Sequence, residues 1–368
     1  MNTFEMNNAR KDVDVNPQIK RNSPVVEVFS AMVNGKNLPN LGQTADKAVN
    51  YIKDLATKAG DGDTHAASEL NQIRREVLTP VVLEEAKLLD LFGSYTPLGA
   101  DESIEREVWG YAGGGARFQA LDGTVTYPRQ VVTRYPVAPV DVSSGYEIDY
   151  RAMAAGNMER ENYGMQMVRT DIMNKAAAYV VKKMYNAIKN ATGVKFFSEG
   201  SGITQANLDN IVTKVRRMGP TSILGSYAVV SQINNFVPYT NGANTPITGI
   251  SDAVMEEIRK NGLVMNYKGS LVREVPTGYD FTKVNAAGTD FEALLPEGLL
   301  FVVPTGLRSP VATWTRGGLT SFTGNDVSTG RILTRFDLTV AADVAQGHEY
   351  EIGLMNDTSI TPVTDYAL

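Results

Sequence analysis

One stretch limits the architecture of this chain more than any other: Asn157–Ala191. Met158, Met165, Val168, Ile172, Ala176, Tyr179, Val180, Met184 and Ile188 recur there at helical spacing and form a single apolar stripe. Glu159 and Glu161 lie near its start, and Lys182, Lys183 and Lys189 near its end, which suits the helix macrodipole. At 1.5 Å per residue the helix spans roughly 50 Å. That is a beam, longer than most globular domains require.

Weaker signals surround it. Residues 1–43 read as an arm: rich in Asn, holding Pro17, Pro24 and Pro39, with one short apolar patch at Val25–Val33. Alone such a segment is mobile, and a neighbouring subunit is the economical clamp. Thr44–Ala59 reads as a helix stopped by Gly60, and Asp63 or Thr64 can cap a second that runs to about Leu78. Pro80 lacks an amide hydrogen and is expected to break or kink the pattern before Val81–Phe92 continues it. Ile104–Trp109, Val131–Tyr135 and Val137–Val142 read as strands between Gly and Pro punctuation.

Beyond the beam, Gln205–Met218 reads as a helix ended by Gly219–Pro220, and Tyr227–Ile233 as a strand. Ser251–Asn261 reads as a helix, and Leu263–Val275 as a strand broken at Gly269. The tail offers strands at Gly298–Val303, Arg331–Val340 and His348–Met355. Helices and strands are interspersed without internal repeats, so the class is α+β.

The longest apolar runs, such as Ala176–Val181 and Leu299–Val303, fall far short of the ~20 residues a membrane span needs. A net charge of −6 argues against a dedicated nucleic-acid binder but not against a wall that merely encloses nucleic acid. With no cysteine, thiol catalysis, disulfides and Cys-based metal sites drop out together. With two histidines, His65 and His348, a histidine-rich metal site within one chain drops out too.

Motifs for chemistry fail on inspection. WGYAGGGARF, Trp109–Phe118, carries three glycines, but no G-K-[ST] follows and no lysine occurs between Lys87 and Lys175, so it is no phosphate loop. A turn near the end of a β excursion is the better reading. Asp61-Gly62-Asp63 lacks the Gly and Glu that a calcium loop would put at Ala66 and Gln72, and reads as a turn plus helix cap. Glu159 and Glu161, two apart on a helix, point to different faces and are expected as solvated charges rather than an acid/base pair. Lys214, Arg216 and Arg217 fit the polar face of an amphipathic helix, with a phosphate contact as the minor alternative. The two Asn-x-Thr triplets, at Asn190 and Asn356, carry no meaning in a cytosolic product. The reading is therefore of a non-enzyme, with no catalytic, metal or cofactor site.

The order of parts is arm, helices, glycine-tipped β excursion, very long helix, mixed α/β region, terminal strands. In this it resembles the major capsid proteins of tailed bacteriophages with the Hong Kong 97-like fold. The likeness runs from about Asn16 to Met355 and lies in organisation rather than a signature peptide. It implies an N-terminal arm (1–43), N-terminal helices (44–100) and an extended β-hairpin loop (101–150). It then implies a peripheral domain (151–221) holding the spine helix (157–191), a mixed α/β axial domain (222–295), and C-terminal strands (296–368) returning to both. Tyr227–Ile233 would be a central axial strand.

The resemblance implies a virion subunit, assembled in the host cytoplasm into hexamers and pentamers of an icosahedral shell around double-stranded DNA, with no membrane. Partners would be further copies, a portal, and separate scaffolding or decoration proteins. An extended loop of about twenty residues each way reaches roughly 65 Å and is marginal alone. Laid across the next subunit, Trp109, Tyr111, Phe118, Tyr127, Arg129 and Tyr135 would be its contacts. Gly113, Gly114 and Gly115 would permit a tight reversal. Some relatives lock their shells through a lysine on this loop; its basic residues here are Arg106, Arg117, Arg129 and Arg134, which implies a noncovalent shell. The alternative from the same fold is an encapsulin-type cellular compartment, which encloses a cargo enzyme.

Overall fold

A computed structural model describes residues 24–33, 42–113, 118, 127–149, 151, 158–236, 240–241, 245–246, 260–284, 288–305, 309–326 and 331–360. Its first element, α1 (Pro24–Val33), falls within the expected arm. Pro24 opens it, where a missing amide hydrogen is harmless. Val26 and Val28 are buried, and Val26 joins the main core. The rest of the arm, 1–23 and 34–41, lies outside the described residues.

Two helices follow, α2 (Gly42–Gly60) and α3 (Thr64–Ala86). The Asp63 carboxylate caps α3, accepting from the amides of His65 (2.9 Å) and Ala66 (3.4 Å). Of the break or kink expected at Pro80, the break is absent: α3 runs through it to Ala86. Val77, Leu78, Val82 and Ala86 are buried on both sides of it, and that packing outweighs one missing hydrogen bond. A 3-10 turn, Lys87–Leu91, leads into β1 (Ser94–Leu98).

Next come β2 (Glu105–Ala112), β3 (Arg129–Pro136) and β4 (Val140–Asp149). The beam is α4, Met158–Asn190, 33 residues. After it stand β5 (Phe196–Gly200), α5 (Gln205–Val215) and β6 (Thr221–Gly225). The strand expected at Tyr227–Ile233 is instead a short helix, α6 (Tyr227–Val230), and a 3-10 turn, Ser231–Phe236. Val229, Val230 and Ile233 are buried at helical, not alternating, spacing. The strand slot beside the sheet's centre is already held by β6, and the Ser226 hydroxyl bonds to the Glu297 carbonyl (2.6 Å) where the chain leaves the sheet.

β7 (Thr240–Asn241) and β8 (Thr245–Pro246) form a small pair. Most of the expected helix at Ser251–Asn261, residues 251–259, lies outside the described residues. The break expected at Gly269 is present: Lys268 (φ +48°) and Gly269 (φ +78°) turn the chain between β9 (Asn266–Tyr267) and β10 (Ser270–Glu274). The remaining strands are β11 (Tyr279–Val284), β12 (Phe291–Ala293), β13 (Leu299–Pro304), β14 (Val311–Asp326), β15 (Arg331–Val344) and β16 (Gly353–Asp357).

Two sheets organise the body. The first has the order β1-β14-β15-β4, with β1 parallel to β14 and the other pairs antiparallel. The second is mixed, in the order β5-β16-β13-β6-β10-β9. Its central strand β13 is buried along its whole length, as a strand covered on both faces must be. Leu299, Phe301 and Val303 point into a core shared with α4, while Leu300 and Val302 point into a second core with Leu208, Ile211 and Val215 of α5. The central strand thus joins the two halves.

Glu161 corrects the sequence reading most sharply. It is fully buried, not solvated, and forms an ion pair with Arg74 of α3, itself 1% exposed. The Arg74 guanidinium donates to Glu161 through Nε and through Nη2 (3.0 Å), and to the Thr334 hydroxyl on β15 (2.8 Å). The Tyr146 hydroxyl of β4 donates to the same carboxylate (2.6 Å), and its ring stacks on Phe336. Gly164 leaves room for that ring; a Cβ there would lie 2.8 Å from it. Burial lowers the tendency of Arg74 to hold its proton, but Glu161 more than offsets this. Burial pushes the Tyr146 hydroxyl well up, with Arg74 opposing and Glu161 adding. Two helices and two strands are pinned at one point.

Candidate subunit interface

The ribbon of β2 and β3 is a two-stranded sheet of its own. Eight residues pair on each side, from Glu105 opposite Pro136 to Ala112 opposite Arg129, a paired length of about 26 Å. Strand alternation puts Arg106, Val108, Gly110 and Ala112 on one face with Tyr135, Thr133 and Val131. Glu105, Glu107 and Trp109 share the other with Arg134, Val132 and Gln130.

The base is bolted to the body. Val137 donates its amide to the Ile104 carbonyl (2.9 Å), and Ile104 is buried with Ala312, Trp314 and Ala341. The Arg106 guanidinium donates to the carbonyls of Ser309 (2.9 Å) and Pro310 (3.3 Å). Directly opposite it, the Tyr135 hydroxyl donates to Asp343 (2.7 Å) and accepts from the Gln346 amide (3.1 Å). Burial pushes that hydroxyl up to about 12, opposed by the Gln346 amide and reinforced by Asp343. Burial raises Asp343 as well, against the pull of Tyr135, Arg106 and Lys183. Tyr135 therefore departs from its expected place among the exposed aromatics: it serves this chain's own body.

Above the base the ribbon is bare on both faces. Trp109 is 42% exposed on one face, opposite Val132 at 39%, and Val131 is 39% exposed on the other. An ion pair between Glu107 and Arg134 (3.2 Å) straddles the strands, worth well under about 1 kcal/mol at such exposure. Arg129 is exposed, and Phe118 and Tyr127 are strongly so. Gly113 takes φ +69°, which an L side chain adopts only with strain. Gly114, Gly115 and the Tyr111 side chain lie outside the described residues. Beneath Trp109 a cleft of about 440 Å³ is lined by Arg106, Glu107, Ser309, His348 and Glu351 among others. His348 bonds to Glu351 (2.7 Å), while His65 is exposed.

Among the described residues no three His, Cys, Asp or Glu side chains gather to hold a metal ion. No described helix is long and apolar enough to cross a membrane. Among the described residues, the ribbon above its base is the surface with Trp109, Val131 and Val132 exposed.

The model of one protein family, described as "SPbeta prophage-derived putative capsid protein YonB", matches residues 5–356. The chain belongs to this family of capsid proteins, the class to which the order of its parts pointed. No curated protein matches it. Solved structures similar to it include "Microbacterium phage Oxtober96", at TM-score 0.47 and 12% identity over 72% of this chain and 89% of that one. Another is "Capsid of native GTA particle computed with C5 symmetry", at 0.45 and 11%, covering 74% and 90%. A third is "Crystal structure of virus-like particle from Pyrococcus furiosus", at 0.42 and 9%, covering 76% and 98%.

Proposed function

We propose that this chain is the major shell subunit of a tailed-phage head with a Hong Kong 97-like arrangement. In this reading it is assembled in the host cytoplasm into hexamers and pentamers around double-stranded DNA, with a portal and separate scaffolding or decoration proteins as partners. Its work is mechanical, not enzymatic. Residues 101–150 supply the extended loop and α4 the spine of a peripheral domain spanning 151–221. Residues 222–295 form the axial domain, and 296–368 return to both.

One observation carries the reading: a ribbon bolted at its base by Arg106 and Tyr135, yet bare on both faces above it. An isolated two-stranded ribbon is marginal in water, so its apolar residues have a use only when covered. A second copy of the chain covers them, with Trp109, Tyr111, Phe118, Tyr127 and Arg129 as contacts and Gly113–Gly115 setting the loop's path.

Negative-stain microscopy of the purified chain tests this directly. Closed particles holding DNA are expected, and Trp109→Ser should abolish or greatly slow their formation while subunit stability changes by no more than about 0.5 kcal/mol. Trp109 is one of only two tryptophans and the exposed one, so assembly should also shift emission to the blue. A discrete monomer or dimer would refute the proposal. Particles packed with protein cargo would refute its DNA-enclosing part.

A further inference from the structure

The β1-β14-β15-β4 sheet is packed on one face and unevenly covered on the other. Along β15, Ile332, Phe336, Leu338 and Val340 point into the main core. The residues between them point to the opposite, outer face. At one end that outer face is covered by the root of the chain's own ribbon, where Ile104 packs with Trp314 and Ala341. At the other end it carries Phe322, 62% exposed, and Leu333, 44% exposed. Along β15, Leu333 lies about 26 Å from Ala341.

Around these two side chains lies a groove of about 610 Å³, lined also by Gly145, Glu147, Gly324 and Arg335. Gly324 stands opposite Leu333, while Phe322 stands opposite Arg335, which in turn faces Gly145. Gly145 is required by the sheet itself, because a Cβ there would lie 2.5 Å from the Thr334 carbonyl oxygen. Gly324 is not. A Cβ there would meet nothing within 4 Å, and its φ lies outside the left-handed region. Glycine weakens a strand and marks places where another chain comes close. The charged walls are satisfied within the sheet. Arg335 pairs with Asp337 (2.7 Å) and donates to the Ser143 hydroxyl (3.0 Å), and Glu147 pairs with Arg331. The groove therefore suits an apolar occupant that brings no unpaired charge.

We propose that this groove is the seat for the ribbon of a second copy of the chain. The ribbon matches it in character. Trp109 and Val132 stand exposed on one face, Phe118 and Tyr127 lie bare beyond them, and the Glu107–Arg134 pair is closed on itself. The chain's own ribbon does not fill the groove, since Phe322, Leu333 and Trp109 all remain exposed. The same sheet face already accepts ribbon residues at its other end, so one strip of sheet holds two ribbons, its own root and its neighbour's upper part. Ribbon and groove are unlike surfaces, so the contact runs head to tail and closes into a ring where the rotation allows. The inference rests on the shell reading above and adds where on the next copy the ribbon lands.

The test uses full-length subunits. Gly324→Val fills the groove without a clash and suits a strand, so it should hold or raise the urea midpoint while slowing particle formation by about tenfold or more. Phe322→Ser should slow it likewise at an unchanged midpoint. A photoreactive benzoylphenylalanine in place of Phe322 then identifies the occupant. Particles assembled from mixed light and isotope-labelled subunits, once irradiated, should yield mixed-mass cross-links to peptides within residues 105–136. Either variant assembling at the wild-type rate overturns the proposal and leaves the shell reading standing. So do cross-links to the ribbon of the same chain, cross-links to any other part of a second copy, or none in closed particles. A wild type that forms no particles would refute the shell reading and this seat together.

Discussion

Replacing Glu161 by Gln keeps the side chain's shape and removes its charge. In the native protein three donors converge on that carboxylate: Nε and Nη2 of Arg74 and the Tyr146 hydroxyl. An amide keeps one oxygen for two of them and turns its NH2 toward the third, so one donor loses its partner. The larger effect is electrostatic, because the Arg74 charge remains buried at 1% exposure with no counterion. Breaking a buried ion pair in this way costs about 3–5 kcal/mol, a large part of the ~5–15 kcal/mol typical of a folded protein.

Arg74→Met should cost a similar amount, since it strands the carboxylate. Combining Arg74→Met with Glu161→Leu removes both charges, and should cost at least ~2 kcal/mol less than the two single changes added together. Arg74→Lys should recover little, because an ammonium cannot span Glu161 and Thr334 as the planar fork does. Urea unfolding of unassembled subunits, followed by circular dichroism at constant slope, measures each quantity. A Glu161→Gln variant within about 1 kcal/mol of the wild type would refute the argument, as would strictly additive costs.

Three further outcomes follow from particular contacts. Tyr135→Phe removes the bond to Asp343 and should cost about 1 kcal/mol in urea unfolding, while loosening the ribbon's base toward proteolysis near Pro136. Asp357 is buried, and burial alone would raise its proton affinity, but bonds from Gln232, Ser359 and the Gly202 amide hold it below the usual carboxylate range. Its contribution to stability is therefore complete above the unfolded value, near pH 4, and is lost as pH falls through the lower folded value. Asp357→Asn should flatten that acid limb in melts at stepped pH; an unchanged limb would refute the assignment. Mature particles boiled in detergent should run as one subunit band, because the loop carries no lysine for a covalent bond. A ladder of multiples would contradict this.

Some elements were legible from residues alone because their signals are local. The apolar stripe that runs from Met158 to Ile188 needs only helical periodicity, and α4 begins and ends within one residue of the expected span. Asp63 announces α3 through its own side chain, and Gly269 its turn through its own backbone freedom. Other elements misled for an equally local reason. Tyr-Ala-Val-Val has strand composition, yet β6 already occupied the place in the sheet. Strand β14, rich in Thr, Ser and Gly, carries little signal by itself and owes its sixteen residues to pairing with β15, β1 alongside. Of the proposed contact residues, Trp109 and Arg129 stand exposed as a ribbon reading requires, whereas Tyr135 turns inward because Asp343 and Gln346, over two hundred positions away, await it.

By itself the sequence determined the length of the beam, the class of fold, and the absence of cysteine chemistry, since each follows from residue type and spacing. Only the tertiary structure decided that Glu161 is a buried counterion and Tyr135 an anchor. Charge and burial are properties of neighbours, and neighbours distant in sequence are brought together only by the folded chain.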